Sequence, residues 1–139
     1  MMLSHTQHIE IARRHAEAEG AGDLDATLAT MDPDPVYYFH PLDRKFTGMA
    51  ATRRYYEHFL SDFKPRIRGI EFHSEMIGSE GLAQEYTLQL AHDDGTVHPH
   101  RILGVLLFGV RGLAGERLYS DDTLFRFLTG PLWDQLETL

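Results

Sequence analysis

The sequence predicts an α+β domain in which helices gather on one face of a mixed, mostly antiparallel sheet. Three observations carry this. Helical spacing dominates from Ser4 to Asp62, interrupted by one short aromatic run. From Ile70 onward the apolar period drops to two. Turn signals at His92-Asp93-Asp94-Gly95 and Arg111-Gly112 cut that second half into hairpins. The 139 residues suit one domain, taken as 1–139.

Each element follows in order. Ser4 and Gln7 fit a capping box for a first helix, with Ile9, Ala12 and Ala16 as its apolar positions. Gly20-Ala21-Gly22 ends it, because glycine readily takes the left-handed conformation after a helix. Asp23 caps a short second helix carrying Leu24, Leu28 and Met31, and Asp32-Pro33-Asp34-Pro35 stops it. Val36 to His40 is β-branched and aromatic and reads as the first strand. Thr47 caps a third helix over 48–62, with Met49, Tyr56, Leu60 and Phe63 inward, and Lys64-Pro65 terminates it. Strands follow over 70–76, 82–90, 99–110 and 113–120. The third of these is apolar on both faces and therefore central. Asp121 or Asp122 caps a last helix to Leu128, Gly130-Pro131 breaks it, and Leu132, Trp133 and Leu136 form an apolar tail that must pack against the chain itself or a second copy.

Composition narrows the function. Thirteen basic against 21 acidic residues give −8, which repels a phosphate backbone, so no nucleic-acid partner is expected. There is no Cys, which excludes disulfides, thiolate metal sites and a cysteine nucleophile, and fits a reducing cytoplasm. The start, MMLSHTQHIEIARR, lacks a basic segment followed by an apolar run, so neither a signal peptide nor a membrane partner is expected. Glycine-rich phosphate loops and a Gly-x-Ser-x-Gly elbow are missing. No cofactor is expected.

The element order and three local segments resemble the nuclear transport factor 2-like superfamily and its SnoaL-like, polyketide cyclase-like family. The segments are His40-Pro41-Leu42-Asp43 with Phe46-Thr47-Gly48 and Arg54-Tyr55-Tyr56, then Gly115 to Asp121, then Phe125 to Gly130. The resemblance implies a cone: a curved sheet, of the cystatin and ketosteroid-isomerase kind, wrapped around the N-terminal helices, with a central pocket and a homodimer through the convex face. It also implies acid–base work without a cofactor on a small hydrophobic carbonyl compound, as an isomerase, cyclase or lyase. A non-catalytic ligand-binding or dimeric interaction module is the alternative, because fold does not dictate function.

Candidate site residues follow from side-chain period and from the resemblance. Arg117, Tyr119 and Asp121 share one face of the closing strand; on the concave side, Tyr119 and Asp121 would set a phenol and a carboxylate in an apolar hollow. The resemblance gives Asp121 the acid or base role, while capping the last helix is its structural alternative. His40 is a second candidate base, with Tyr38 on the same face. Tyr56, Glu85, Arg101 and Arg117 complete the expected ligand contacts. Arg101 or Arg117 with Asp121 would also imitate part of a water-activating Asp-Arg-Asp set. His98 and His100 are spaced like strand metal ligands, yet no acidic ligand follows them, so no metal is expected and their role stays open.

Overall fold

The computed structural model describes residues 2–139; Met1, the first residue of the expected domain, lies outside the described residues. Helix α1 (His5–Ala21) starts on the expected capping box: Gln7 N–H donates to Ser4 Oγ at 3.1 Å and Ser4 N–H to Gln7 Oε1 at 2.8 Å. It ends at Gly22 in the left-handed region. Helix α2 (Leu24–Ala29) carries its Asp23 cap. Helix α3 (Met49–His58) begins after Gly48, with no side-chain cap from Thr47. It continues as a π-helical turn, Phe59–Phe63, where the expectation was one regular helix. The wider turn stacks Phe59 on Phe63 with centroids 5.7 Å apart and buries Phe63.

The strands are β1 (Met31–His40), β2 (Arg44–Thr47), β3 (Ile67–Ile77), β4 (Gly81–Ala91), β5 (Val97–Phe108), β6 (Leu113–Tyr119) and β7 (Glu137–Thr138). They form one sheet in the order β3-β4-β5-β6-β1-β2-β7, with β1 and β6 parallel and every other neighbour antiparallel. β5 is flanked on both sides, as its two apolar faces require.

Two strands escaped sequence reading. β2 is four residues long and β7 two, too short for a period to show. β1 also begins at Met31 rather than Val36, running through both prolines across an irregularity in its pairing with β6. Asp32 explains this start. Its carboxylate accepts the backbone N–H groups of Val110, Arg111 and Gly112 at 3.0, 2.8 and 2.7 Å, tying β1 to the β5–β6 turn. Beyond it, Gly115 has φ +137°, and a Cβ there would fall 1.8 Å from the Val36 carbonyl oxygen. Only glycine lets β6 lie this close to β1.

Helices α1 to α3 fill the concave side of the sheet, and α4 (Asp122–Thr129) closes one end. The apolar tail folds back on the same chain: Leu132 is buried in the core, and Arg126 lies over the Trp133 ring at 4.3 Å. Tyr37, Phe39, Tyr56, Phe63, Leu90 and Phe125 are among the fully buried side chains. Among the described residues, no helix is long and apolar enough to cross a membrane.

Candidate active site

A cavity of about 290 Å³ lies between α1, α3 and the concave face of β3 to β6, with a smaller lobe of about 60 Å³ behind it. This is near the lower end of small-molecule pockets. Phe59, Phe63, Phe72, Leu88, Ile102 and Leu128 supply much of its wall. Side-chain alternation sets what each strand presents. β4 turns Gln84, Tyr86 and Leu88 inward, β5 turns Ile102, and β6 turns Glu116 and Leu118. Helix α1 adds Ala16 and Glu19, and Lys64 sits at the rim with Nζ donating to the Glu19 and Gly20 carbonyls at 3.0 and 2.6 Å.

The polar groups of this cavity stand out by what they lack. Among the described residues, every buried side-chain nitrogen or oxygen has a hydrogen-bond partner. Among those residues the Glu116 carboxyl and the Tyr55 and Tyr86 hydroxyls make no hydrogen bond to protein, so these atoms open onto the cavity they line. The Glu116 side chain is enclosed by protein yet keeps part of its surface for the same reason. Room for it comes from Gly104 on β5, where a Cβ would stand 2.7 Å from Glu116 Oε2. Burial in this apolar enclosure, and then the Glu19 charge, push the Glu116 carboxyl well above the ordinary carboxylate range. Burial, with Glu116 next, does the same to the Tyr55 and Tyr86 phenols, which stay protonated donors.

The residues expected to form the site lie elsewhere. Tyr38 and His40 alternate with Tyr37 and Phe39, and the latter pair is fully buried, so Tyr38 and His40 face the convex side. Arg117 and Tyr119 alternate likewise with Glu116 and Leu118; Tyr119 is 39% exposed and stacks on His40 at 5.0 Å. Glu85 and Arg101 are brought together as an ion pair at 2.8 Å, also outward. Tyr56 is inward but lies behind the cavity wall, its hydroxyl 2.5 Å from that of Tyr37 and 3.0 Å from His15 Nε2. Asp121 caps α4, accepting Leu124 N–H at 2.7 Å, and its other oxygen accepts His100 Nδ1–H at 2.6 Å. These placements remove the expected set from the cavity. The physical reason is the period of two: a reading displaced by one residue puts a whole strand on the wrong side.

The sequence reading missed Glu116, Glu19, Tyr86 and His15 as cavity groups. One signal was present: Leu118 is the apolar residue of its strand pair and shares its face with Glu116, not with Tyr119. The histidines left open have a place too. His92 Nε2 lies 2.8 Å from His100 Nε2, and His98 Nε2 is bonded to Thr96 Oγ1 at 2.7 Å. Among the described residues, no group of three potential ligands is arranged to hold a metal.

Comparison with known proteins agrees with this architecture. Structures of similar fold include a steroid delta-isomerase from Pseudomonas aeruginosa, with a TM-score of 0.70, 9% identity and 96% of each chain covered. An NTF2-like protein of unknown function from Burkholderia pseudomallei K96243 matches with a TM-score of 0.69 and 16% identity, over 92% of this chain and 99% of that one. A de novo designed protein with a curved β-sheet matches with a TM-score of 0.68 and 10% identity, over 96% and 99%. At such identities the likeness is one of fold. No protein of curated function matches the sequence. The model of the SnoaL-like domain matches residues 12–112, most of the chain. The fold is thus of the NTF2-like kind, and the chain belongs to the SnoaL-like family.

Proposed function

We propose that this protein is a cofactor-independent acid–base catalyst, an isomerase, cyclase or lyase, acting on a small hydrophobic carbonyl compound held in the cavity. One observation carries the reading: the Glu116 carboxyl lies against the cavity with no protein hydrogen-bond partner among the described residues, and burial there pushes its pKa well above the ordinary carboxylate range. A neutral carboxylic acid in such a place is a hydrogen-bond and proton donor. The Tyr55 and Tyr86 phenols face the same space and add donors for an oxygen on which charge builds. Each such donor contributes roughly 10²–10³ in rate. The acid–base role thus moves from Asp121 and His40 to Glu116. The fold shared with a steroid delta-isomerase is consistent with this chemistry.

In the same reading, residues 1–139 work as one domain in the cytoplasm, which suits a chain without cysteine. They pair as a homodimer through the convex face, where Leu103, Val105 and Leu107 form a half-buried apolar row beside Tyr38 and Tyr119. Sedimentation of the chain and of Leu103→Glu tests the pairing; a monomer in both removes it.

The catalytic reading is tested by proton exchange, which needs no knowledge of the natural substrate. Cyclohexanone is incubated with the protein in D₂O, and loss of its α-protons is followed by NMR. Wild type is expected to accelerate the exchange, and Glu116→Gln to lower it about 10²–10⁴-fold with the fold intact. Equal exchange in both proteins refutes the assignment. Cyclohexanone binding of equal strength in both, without exchange in either, makes the protein a binding module instead.

A further inference from the structure

The cavity brings carboxyls and aromatic rings together without a cation between them. Glu116 on β6 and Glu19 on α1 border both the main space and its rear lobe. Tyr55, Phe59, Phe63, Phe72 and Tyr86 form the aromatic wall. Among the described residues, Lys64 is the one lysine or arginine that lines either space. Its Nζ is occupied at the rim, donating to the Glu19 and Gly20 carbonyls at the end of α1, a helix with no basic residue in its last turn. There the ammonium balances the negative end of the helix, not a side-chain carboxyl.

The titratable groups packed around Glu116 are His15 and Glu19 on α1, Tyr37 on β1, Tyr55 and Tyr56 on α3 and Tyr86 on β4; β5 offers only Ile102, Gly104 and Leu106. His15 has its ring nitrogens engaged by Thr30 Oγ1 at 2.7 Å and the Tyr56 hydroxyl at 3.0 Å. Glu19 stands beside that ring, Oε1 2.8 Å from Nε2. What acts on Glu116 is burial and then the Glu19 charge, both against ionisation. Tyr55, only 3% exposed, turns an unpartnered hydroxyl into the same space. A guest that completes this site carries a positive charge and N–H groups. Ring faces attract a cation. An N–H on a positive nitrogen makes a stronger bond to a carboxylate than a neutral donor does. The chain's net charge of −8 draws cations toward it.

We propose that the cavity is a receptor for a hydrophobic amine, bound as its ammonium ion with N–H groups on the Glu116 carboxylate and the Tyr55 hydroxyl oxygen. The hydrocarbon part of the amine lies among Phe59, Phe63, Leu88 and Ile102. This goes beyond the carbonyl reading and does not depend on it: the same space takes a second class of guest, and the two exclude each other. The amine arrives already protonated. The Glu116 carboxyl gives its proton to solvent, and the carboxylate left behind pairs with the ammonium. The site is neutral before and after, so the ion pair forms without an uncompensated charge in the apolar walls. Glu19, the second carboxyl, adds attraction for the same ion.

Calorimetric titration of the full chain with 2-phenylethylamine and with 2-phenylethanol, its neutral counterpart of the same shape, tests this. At about pH 7 the amine should bind roughly tenfold or more tightly than the alcohol. Titrations in phosphate and in Tris, which differ in heat of ionisation, should count about one proton released per amine and none per alcohol. Amine affinity should therefore rise with pH, up to about tenfold per unit. Glu116→Gln should abolish the proton release and the preference for the amine. Equal affinity for the two compounds, no proton release, or a preference unchanged in Glu116→Gln overturns the proposal. The proton count is read on wild type and needs no variant to fold. Amine binding with proton release, in a chain that gives no cyclohexanone exchange, leaves the ammonium site standing and removes the catalytic reading alone. Exchange without a preference for the amine does the reverse. Where both hold, 2-phenylethylamine should inhibit the exchange competitively.

Discussion

Glu116 lies within β6 and Asp121 five residues on, just past the strand's end, yet their carboxyls live in opposite circumstances. Asp121 is half-exposed, and both of its oxygens are taken, one by the Leu124 amide and one by His100. Glu116 is enclosed, and neither of its oxygens has a protein partner among the described residues. A satisfied carboxylate stabilises a fold through its bonds. An unsatisfied one costs stability and waits for a guest. The difference separates a carboxyl that builds the fold from one left open to the cavity better than residue type or position in the sequence does.

The comparison can be broken in three places. The largest effect is expected at Gly104→Ala. The added methyl meets Glu116 Oε2, so the acid must move. A shift of an ångström costs on the order of 10²-fold in a positioned reaction, read by ketone exchange. Unchanged exchange would mean that the Glu116 position does not matter. Next is Asp121→Ala, which removes a helix cap and the acceptor for His100. A loss of about 1–3 kcal/mol in denaturant unfolding is expected, with exchange per folded molecule retained.

The third prediction is a pair of opposite pH responses. The Glu116 carboxyl is raised in the folded state, so above the ordinary glutamate range the native chain holds a proton that the unfolded chain has released. Stability should therefore fall with rising pH, by about 1.4 kcal/mol per unit for one proton, and Glu116→Gln should remove that slope. His92 behaves in reverse. Burial, and then the neighbouring His98 and His100, lower its pKa, so the native chain resists a proton that the unfolded chain accepts. Stability should fall as the pH drops below about 6.5, and His92→Gln should lessen the fall. This effect is the smallest, because His92 is close to solvent. Melting curves from about pH 5 to 8 resolve both.

Much of the fold was legible because its signals are local. The Ser4–Gln7 box, the Asp23 and Asp121 caps and the Asp94-Gly95 turn each rest on a few neighbouring residues, and each is present in the structure. The short strands β2 and β7 exist only through their pairing, so nothing local announces them. The site was harder still. Choosing between Glu116 and Arg117, or between Tyr37 and Tyr38, requires knowing which side of a strand faces the helices, and one residue reverses the answer. His15 was missed because a polar residue on an apolar stripe looks exposed until the Thr30, Glu19 and Tyr56 partners come together around it.

Gly115, pressed against the Val36 carbonyl, has a practical consequence for anyone wishing to rebuild this molecule. It anchors Glu116 through the main chain, by the lock between two parallel strands rather than by the walls. Phe59, Ile70 or Phe72 could then be exchanged to admit guests of other shapes while the acid keeps its address. The lining is upholstery, and the frame beneath it decides where the carboxyl stands.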